Sequence, residues 1–199
     1  MQESCSSLQQ QRYIALLRAR LSKKRLTHSM NVAASARALA ERWNADADWA
    51  YLGGLLHDIC KELPFPQQAE LMENAVPSAC KEEWESKPVW HGIAAESYLR
   101  VELGIENRDV LYAVRFHTVG RGGMSRLEEI IYMADLISAD RTYRDADHFR
   151  KLAMNDLDKA MFEALQYAMD TSLRKGNLII PYTADAYNHY LRIMNQRKK

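Results

Sequence analysis

His28, the adjacent pair His57-Asp58, His91, His117 and Asp135 form an ordered series of imidazoles and carboxylates. These are the side chains that hold catalytic zinc, iron or manganese. The His57-Asp58 doublet anchors the series, because it places a nitrogen and an oxygen donor at one point of the scaffold. A metal held by such a set lowers the pKa of a bound water from about 15.7 to near 7 and draws charge from an attacked oxygen. The leading reading is therefore a metal-dependent hydrolase.

Each residue alone has a plainer explanation. A single histidine such as His28, His91 or His117 is ordinarily a hydrogen-bonded core or surface residue. His57-Asp58 could simply end a helix, where an imidazole near the negative pole is favourable without any metal. Asp135 interrupts the apolar run Ile130-Ile131-Tyr132-Met133-Ala134-Asp135-Leu136-Ile137 and needs either a cation or several donors, Arg141 being one available partner. The joint pattern, not any member, points to a metal.

Helices must position these residues. Glycine (8) and proline (5) are sparse, and apolar residues recur three and four apart over long stretches, so the chain reads as all-α. A first helix starts near Leu8. A second, capped by Ser22, sets His28, Val32, Ser35 and Leu39 on one stripe, so His28 points inward. A third opens around Asp46 and Asp48 and packs through Trp49, Leu52, Leu56 and Ile59. Gly53 and Gly54 lie beside that stripe, and a mid-helix glycine costs roughly 1 kcal/mol against alanine unless something exploits it. Close approach of another helix, the one bearing His28, is the expected use. Pro64 and Pro66 mark a stop after Leu63, with a less regular stretch around Pro77 and Pro88. Helices resume over 91–103 and 107–117, the latter capped by Asn107, and Ser125-Arg126-Leu127-Glu128 fits a capping box. Two more helices, over 147–175 and 183–197, complete one domain spanning 1–199.

The bulk properties exclude other classes. With 199 residues and 47% hydrophobic content, one domain can bury a full core. Lysine plus arginine (27) balances aspartate plus glutamate (26), which leaves no field to draw the molecule to nucleic acid or an anionic membrane. Cys5, Cys60 and Cys80 have no Cys-x-x-Cys spacing, which suits a reducing compartment. No signal peptide begins the chain, and no uncharged apolar stretch approaches about 18 residues. The expectation is a cytoplasmic protein with neither a nucleic-acid nor a membrane partner; a homodimer is compatible with the sequence.

The order His28, His57-Asp58, His91, His117, Asp135 resembles the HD-domain superfamily of metal-dependent phosphohydrolases. The stretches Leu55-Leu56-His57-Asp58-Ile59-Cys60-Lys61-Glu62-Leu63 and 117–135 resemble one branch, the YqeK family of symmetrical bis(5'-nucleosyl)-tetraphosphatases, and the resemblance runs from about Arg25 to Pro181. It implies a single HD-type bundle of about eight to ten helices with a motif-bearing core over roughly 22–181. It also implies a reaction, the cleavage of diadenosine tetraphosphate into two ADP. His28, His57, Asp58 and Asp135 would hold a first metal, iron foremost, with manganese, cobalt or zinc as alternatives. His91 and His117 would either hold a second ion, Asp58 bridging, or contact phosphate directly. The catalytic set is then His57, Asp58, Lys61, His91 and His117. Lys61 lies one helical turn past His57, where it can neutralise a phosphate oxygen, and Thr118 and Arg141 are further candidates for the substrate phosphates. The chain departs from the family at Ala139-Asp140, Arg144-Asp145 and Ile180, all outside the metal pattern.

Rivals remain. A nucleoside 5'-monophosphatase of the same fold would need no His91 or His117, and a noncatalytic nucleotide sensor would bind without turnover. A cyclic-dinucleotide phosphodiesterase is disfavoured by the absence of a Gly-Tyr-Pro triplet. A helical interaction protein with incidental histidines would bind no transition metal.

Overall fold

The computed structural model describes residues 7–197, so the amino-terminal stretch and Cys5 lie outside the described residues. The described residues form eleven α-helices and one 3-10 turn, with no strand among them. The helices α1 (Ser7–Arg20), α2 (Lys23–Arg42) and α3 (Ala47–Leu56) begin the chain. Ser22 caps α2 by accepting from the Arg25 amide, and Asp46 caps α3 by accepting from the amides of Asp48 and Trp49. Both caps supply partners for amides that the first helical turn leaves unpaired.

The stretch expected to be irregular holds α4 (Phe65–Met72), α5 (Lys81–Trp84) and the 3-10 turn Lys87–Val89. Pro64 does stop the preceding segment, but it also serves as N-cap of α4, with Pro66 in its first turn, where a missing N–H costs nothing. Then come α6 (Trp90–Val101), α7 (Arg108–Phe116), capped by Asn107, and α8 (Arg126–Ile137), capped by Ser125. The capping box at Ser125 is only half formed. Its hydroxyl accepts from the Glu128 amide, but the Glu128 carboxylate binds Arg121 instead of turning back.

The single helix expected over 147–175 is two, α9 (Ala146–Asn155) and α10 (Leu157–Arg174), broken at an extended Asp156 (φ −151°, ψ 94°). Asp156 caps α10 by accepting from the Lys159 amide, the competition with helical backbone that short polar side chains offer. The last helix is α11 (Pro181–Gln196). No helix among the described residues is long and apolar enough to cross a membrane.

One apolar core runs through these helices, with Leu17, Val32, Leu39, Leu52, Leu56 and Ile93 fully buried. The helix α2 packs on α3 and α8, α6 on α4 and α7, and α10 on α9 and α11. Gly54 makes the α2–α3 approach possible: a Cβ there would stand 2.9 Å from Ala33 Cα and 3.0 Å from Val32 O. The expected use of this glycine is therefore the one the fold makes.

Candidate metal centre

Every residue of the motif except His28, which lies in the second turn of α2, sits at or beside a helix end, and the ends converge. His57 is the C-cap of α3, His117 is the C-cap of α7, and Asp135 lies in the last turn of α8. Three negative helix poles therefore face one point, which favours a bound cation. His28 comes from α2, His91 from the first turn of α6, and Asp58 and Lys61 from the turn after α3. Gly92 lets α6 close in, since a Cβ there would meet the His117 ring at 3.2 Å.

Asp58 is the hub. Its Oδ2 lies 3.3 Å from His57 Nε2 and 3.8 Å from His28 Nε2, while its Oδ1 lies 3.2 Å from His91 Nε2 and 3.8 Å from His117 Nε2. The two oxygens thus face two separate sets of nitrogens, as a bridging carboxylate must. Asp135 Oδ1 is 3.0 Å from His28 Nε2. Donor atoms of three overlapping groups, His28/His57/Asp58, His57/His117/Asp135 and Asp58/His91/His117, each lie within 4.8 Å of one another.

The ring orientations also suit a metal. His57 Nδ1 donates to Gly54 O and His117 Nδ1 donates to Val114 O, both at 2.7 Å, which leaves a lone pair on each Nε2. His28 Nδ1 is 2.8 Å from Asp140 Oδ2, so its Nε2 is likewise directed inward. The Nε2 atoms of His28 and His57 are buried and make no hydrogen bond among the described residues. Burying such atoms unpartnered costs free energy that a coordinated cation would recover. The donor set therefore fits a transition metal ion.

The ionisation of the cluster agrees. Burial opposes charge on Asp58, yet His57 and His91 hold its carboxyl well below the usual range. Burial likewise opposes charge on Asp135, but the neighbouring His28, His57 and Arg141 keep its pKa low. His117 is pushed down to about 3 by burial and by the charges of His57 and His91, so its imidazole is neutral at physiological pH, as metal coordination requires. Burial also lowers His91, partly offset by Asp58. His57 is raised: burial lowers it, but Asp58 and Asp135 outweigh that.

Lys61 Nζ lies 3.2 Å from His91 Nδ1, at the edge of the cluster, and burial lowers its pKa. Arg141 binds Asp135 twice, through Nη2 to Oδ1 and through Nε to the backbone oxygen at 2.9 Å. Thr118 and Arg141 line a cavity of about 390 Å³ together with His117 and Asp135, and the Thr118 hydroxyl is buried without a hydrogen-bond partner. A depression of about 480 Å³ over His148 and Glu163 contains none of the motif residues.

Sequence reasoning missed Arg25, Asn31 and Asp140. Arg25 Nη1 donates to Asp58 Oδ2 at 2.7 Å; its place one turn before His28 on α2 was a usable signal. Asn31, likewise one turn from His28, donates to Asp140 Oδ1 at 3.0 Å. Asp140 lies past the end of α8, and no spacing rule reaches it. Trp90 does not face the cleft: its indole donates to Glu83 O and packs edge-on against Phe65 and Trp84. Cys60 is buried, with its thiol pushed up to about 12, and is therefore an inert core residue.

The HD domain profile matches residues 25–149. The chain is 31% identical to a Bacillus subtilis protein named "Bis(5'-nucleosyl)-tetraphosphatase, symmetrical", over 88% of this chain and 94% of that one. A protein of the same name from Halalkalibacterium halodurans is 32% identical, over 89% and 95% respectively. The crystal structure of a "predicted HD superfamily hydrolase involved in NAD metabolism" from Clostridium acetobutylicum superposes with a TM-score of 0.88 at 33% identity, covering 92% of this chain and 97% of that chain.

Proposed function

The chain belongs to the HD domain family, in its symmetrical bis(5'-nucleosyl)-tetraphosphatase branch, and on that premise we propose how its residues hydrolyse dinucleoside tetraphosphates into two nucleoside diphosphates. It is a metal-dependent phosphoanhydride hydrolase. The observation that carries the reading is Asp58, whose two oxygens face two histidine sets while the buried Nε2 atoms of His28 and His57 stand without hydrogen bonds.

We assign His28, His57, Asp58 and Asp135 to a first metal and Asp58, His91 and His117 to a second, with iron as the native ion and manganese, cobalt or zinc as substitutes. Bound there, the metal supplies a water of lowered pKa and withdraws charge from the attacked phosphoryl oxygen. The protein supplies the rest. Lys61, Arg25 and Arg141 ring the cluster with positive charge, which draws in the anionic polyphosphate and stabilises the charge that develops on the leaving oxygens. Thr118 lines the cavity beside His117 and is the further candidate for a phosphate contact there. The hydrogen bonds to Gly54 O and Val114 O keep His57 and His117 from rotating, so their donor atoms need no rearrangement during the reaction.

The same proposal places the protein in the cytoplasm as one domain over 1–199, its motif-bearing part at about 22–181, with a nucleotide as its partner and no nucleic acid; a homodimer is compatible with it. The test is product analysis. Protein loaded with iron or manganese is expected to convert diadenosine tetraphosphate to ADP alone, and Asp58→Ala to abolish this. ATP plus AMP would mean asymmetric cleavage, and turnover of nucleoside monophosphates alone would favour the monophosphatase.

A further inference from the structure

We propose that the two nucleosides of the substrate sit in two separate cavities that meet at Thr118, so that symmetric cleavage follows from a seat on either side of the phosphate site; this rests on the dinucleotide reading above. The first cavity, about 390 Å³, is the one that holds His117, Asp135 and Arg141, and its far wall is aromatic, with Tyr143 and Tyr167 at 5.7 Å between ring centroids. The second, about 380 Å³, lies between the start of α6 and the loop from α10 to α11. Thr118 and Ala168 line both.

The chemistry of the second cavity selects what it takes. Its walls carry no lysine, arginine or histidine, and its one charged residue is Glu85, so it repels rather than holds phosphate. The cations available for phosphate, Lys61, Arg25 and Arg141, are all grouped at the metal cluster. What the second cavity does offer is an apolar surface from Val89, Ile179 and Ile180, with the Ser172 hydroxyl and the Asn177 amide as donors and acceptors. That is a lining for an uncharged base and ribose. Two chambers of similar volume on either side of the wall formed by Thr118 and Ala168 match a ligand with a polyphosphate centre and two like ends. A substrate with one nucleoside and a terminal phosphate would leave the second chamber empty.

The test is the stoichiometry of ADP bound to the manganese-loaded full chain, read by titration calorimetry, alongside kinetics on diadenosine tetraphosphate. Wild type is expected to bind two ADP. Ser172→Phe, which puts a ring into the second chamber, is expected to bind one and to lose about ten-fold or more in kcat/KM, since remote binding energy is used at the reacting centre. Asn177→Trp, on an exposed residue of the connecting loop and so unable to disturb the core, is expected to do the same. Thr171→Phe, which fills the first chamber, also leaves one site. A single ADP site in wild type, or two retained in both Ser172→Phe and Asn177→Trp, overturns the proposal. Two ADP sites without turnover would uphold the two seats and remove the hydrolase reading instead.

Discussion

Asp140 Oδ2 lies 2.8 Å from His28 Nδ1, and its other oxygen accepts from the Asn31 side chain at 3.0 Å. A carboxylate on the outer nitrogen fixes the imidazole tautomer and raises the basicity of the inner one. Asp140→Ala is expected to weaken metal binding about 10–100-fold, measured by competition with a chromophoric chelator, while circular dichroism stays unchanged. Asp140→Asn, which keeps an acceptor without the charge, should recover part of that loss. Unchanged affinity in Asp140→Ala would show that His28 needs no such support.

Gly54 tests the scaffold instead of the ligands. A methyl group there meets the backbone of Ala33 at 2.9 Å, and backbone cannot rotate away as a side chain tip can. Gly54→Ala is therefore expected to destabilise by about 1–3 kcal/mol and to lower metal occupancy as well, because Gly54 O also holds His57. Urea denaturation and metal analysis on the same sample check both; a variant as stable as wild type would mean that α2 and α3 can part without cost.

These two positions mark how far the sequence could be read. Gly54 was legible because a glycine inside a helical pattern is an unfavourable local choice that calls for a reason, and the reason was close packing. The cluster of candidate ligands was legible because histidines and acids of the right type recur in order, with Asp135 set conspicuously in an apolar run. Asp140 was not, since its pairing with His28 spans more than a hundred residues and nothing local distinguishes it from a surface aspartate. The break at Asp156 was hidden for the opposite reason: the apolar period continues across it, and only the side chain's bond to the Lys159 amide ends one helix and starts the next. The short helices around Pro77 were masked by prolines that in fact begin helical turns.

A second long-range pairing escaped the sequence in the same way. Glu83 and Arg115 form a two-pronged ion pair at 2.8 and 2.7 Å, both residues buried, beneath the segment that ends in His117. Removing one partner leaves a buried charge uncompensated. Glu83→Ala is expected to cost about 3–5 kcal/mol, read as a shift in the denaturation midpoint. A loss below about 1 kcal/mol, the range of exposed pairs, would mean that Arg115 reaches water in the variant.

Lys61 separates chemistry from metal binding. Its ammonium touches His91 but offers no lone pair to a cation while protonated, so the role proposed for it is toward the phosphates. Lys61→Met is expected to lower kcat by about 10²–10³-fold with the metal content of wild type. Loss of metal in parallel with activity would place Lys61 among the supports of the ligand set.

Glu129 is buried and receives the Tyr190 hydroxyl; burial raises its pKa above the ordinary 4.5, and the Tyr190 hydrogen bond and the Arg126 charge offset this only in part. The folded chain therefore keeps this proton to a higher pH than the unfolded chain does. Where the folded state binds more protons, stability falls as pH rises, and the penalty is complete above the folded pKa. Glu129→Gln removes the titration but keeps an acceptor for Tyr190. The stability of the variant relative to wild type should accordingly improve as pH rises from the ordinary 4.5 through the raised folded pKa, whatever its absolute value, when both are unfolded in urea over a pH series. A difference that stays constant with pH would mean that Glu129 ionises as readily in the fold as in the open chain.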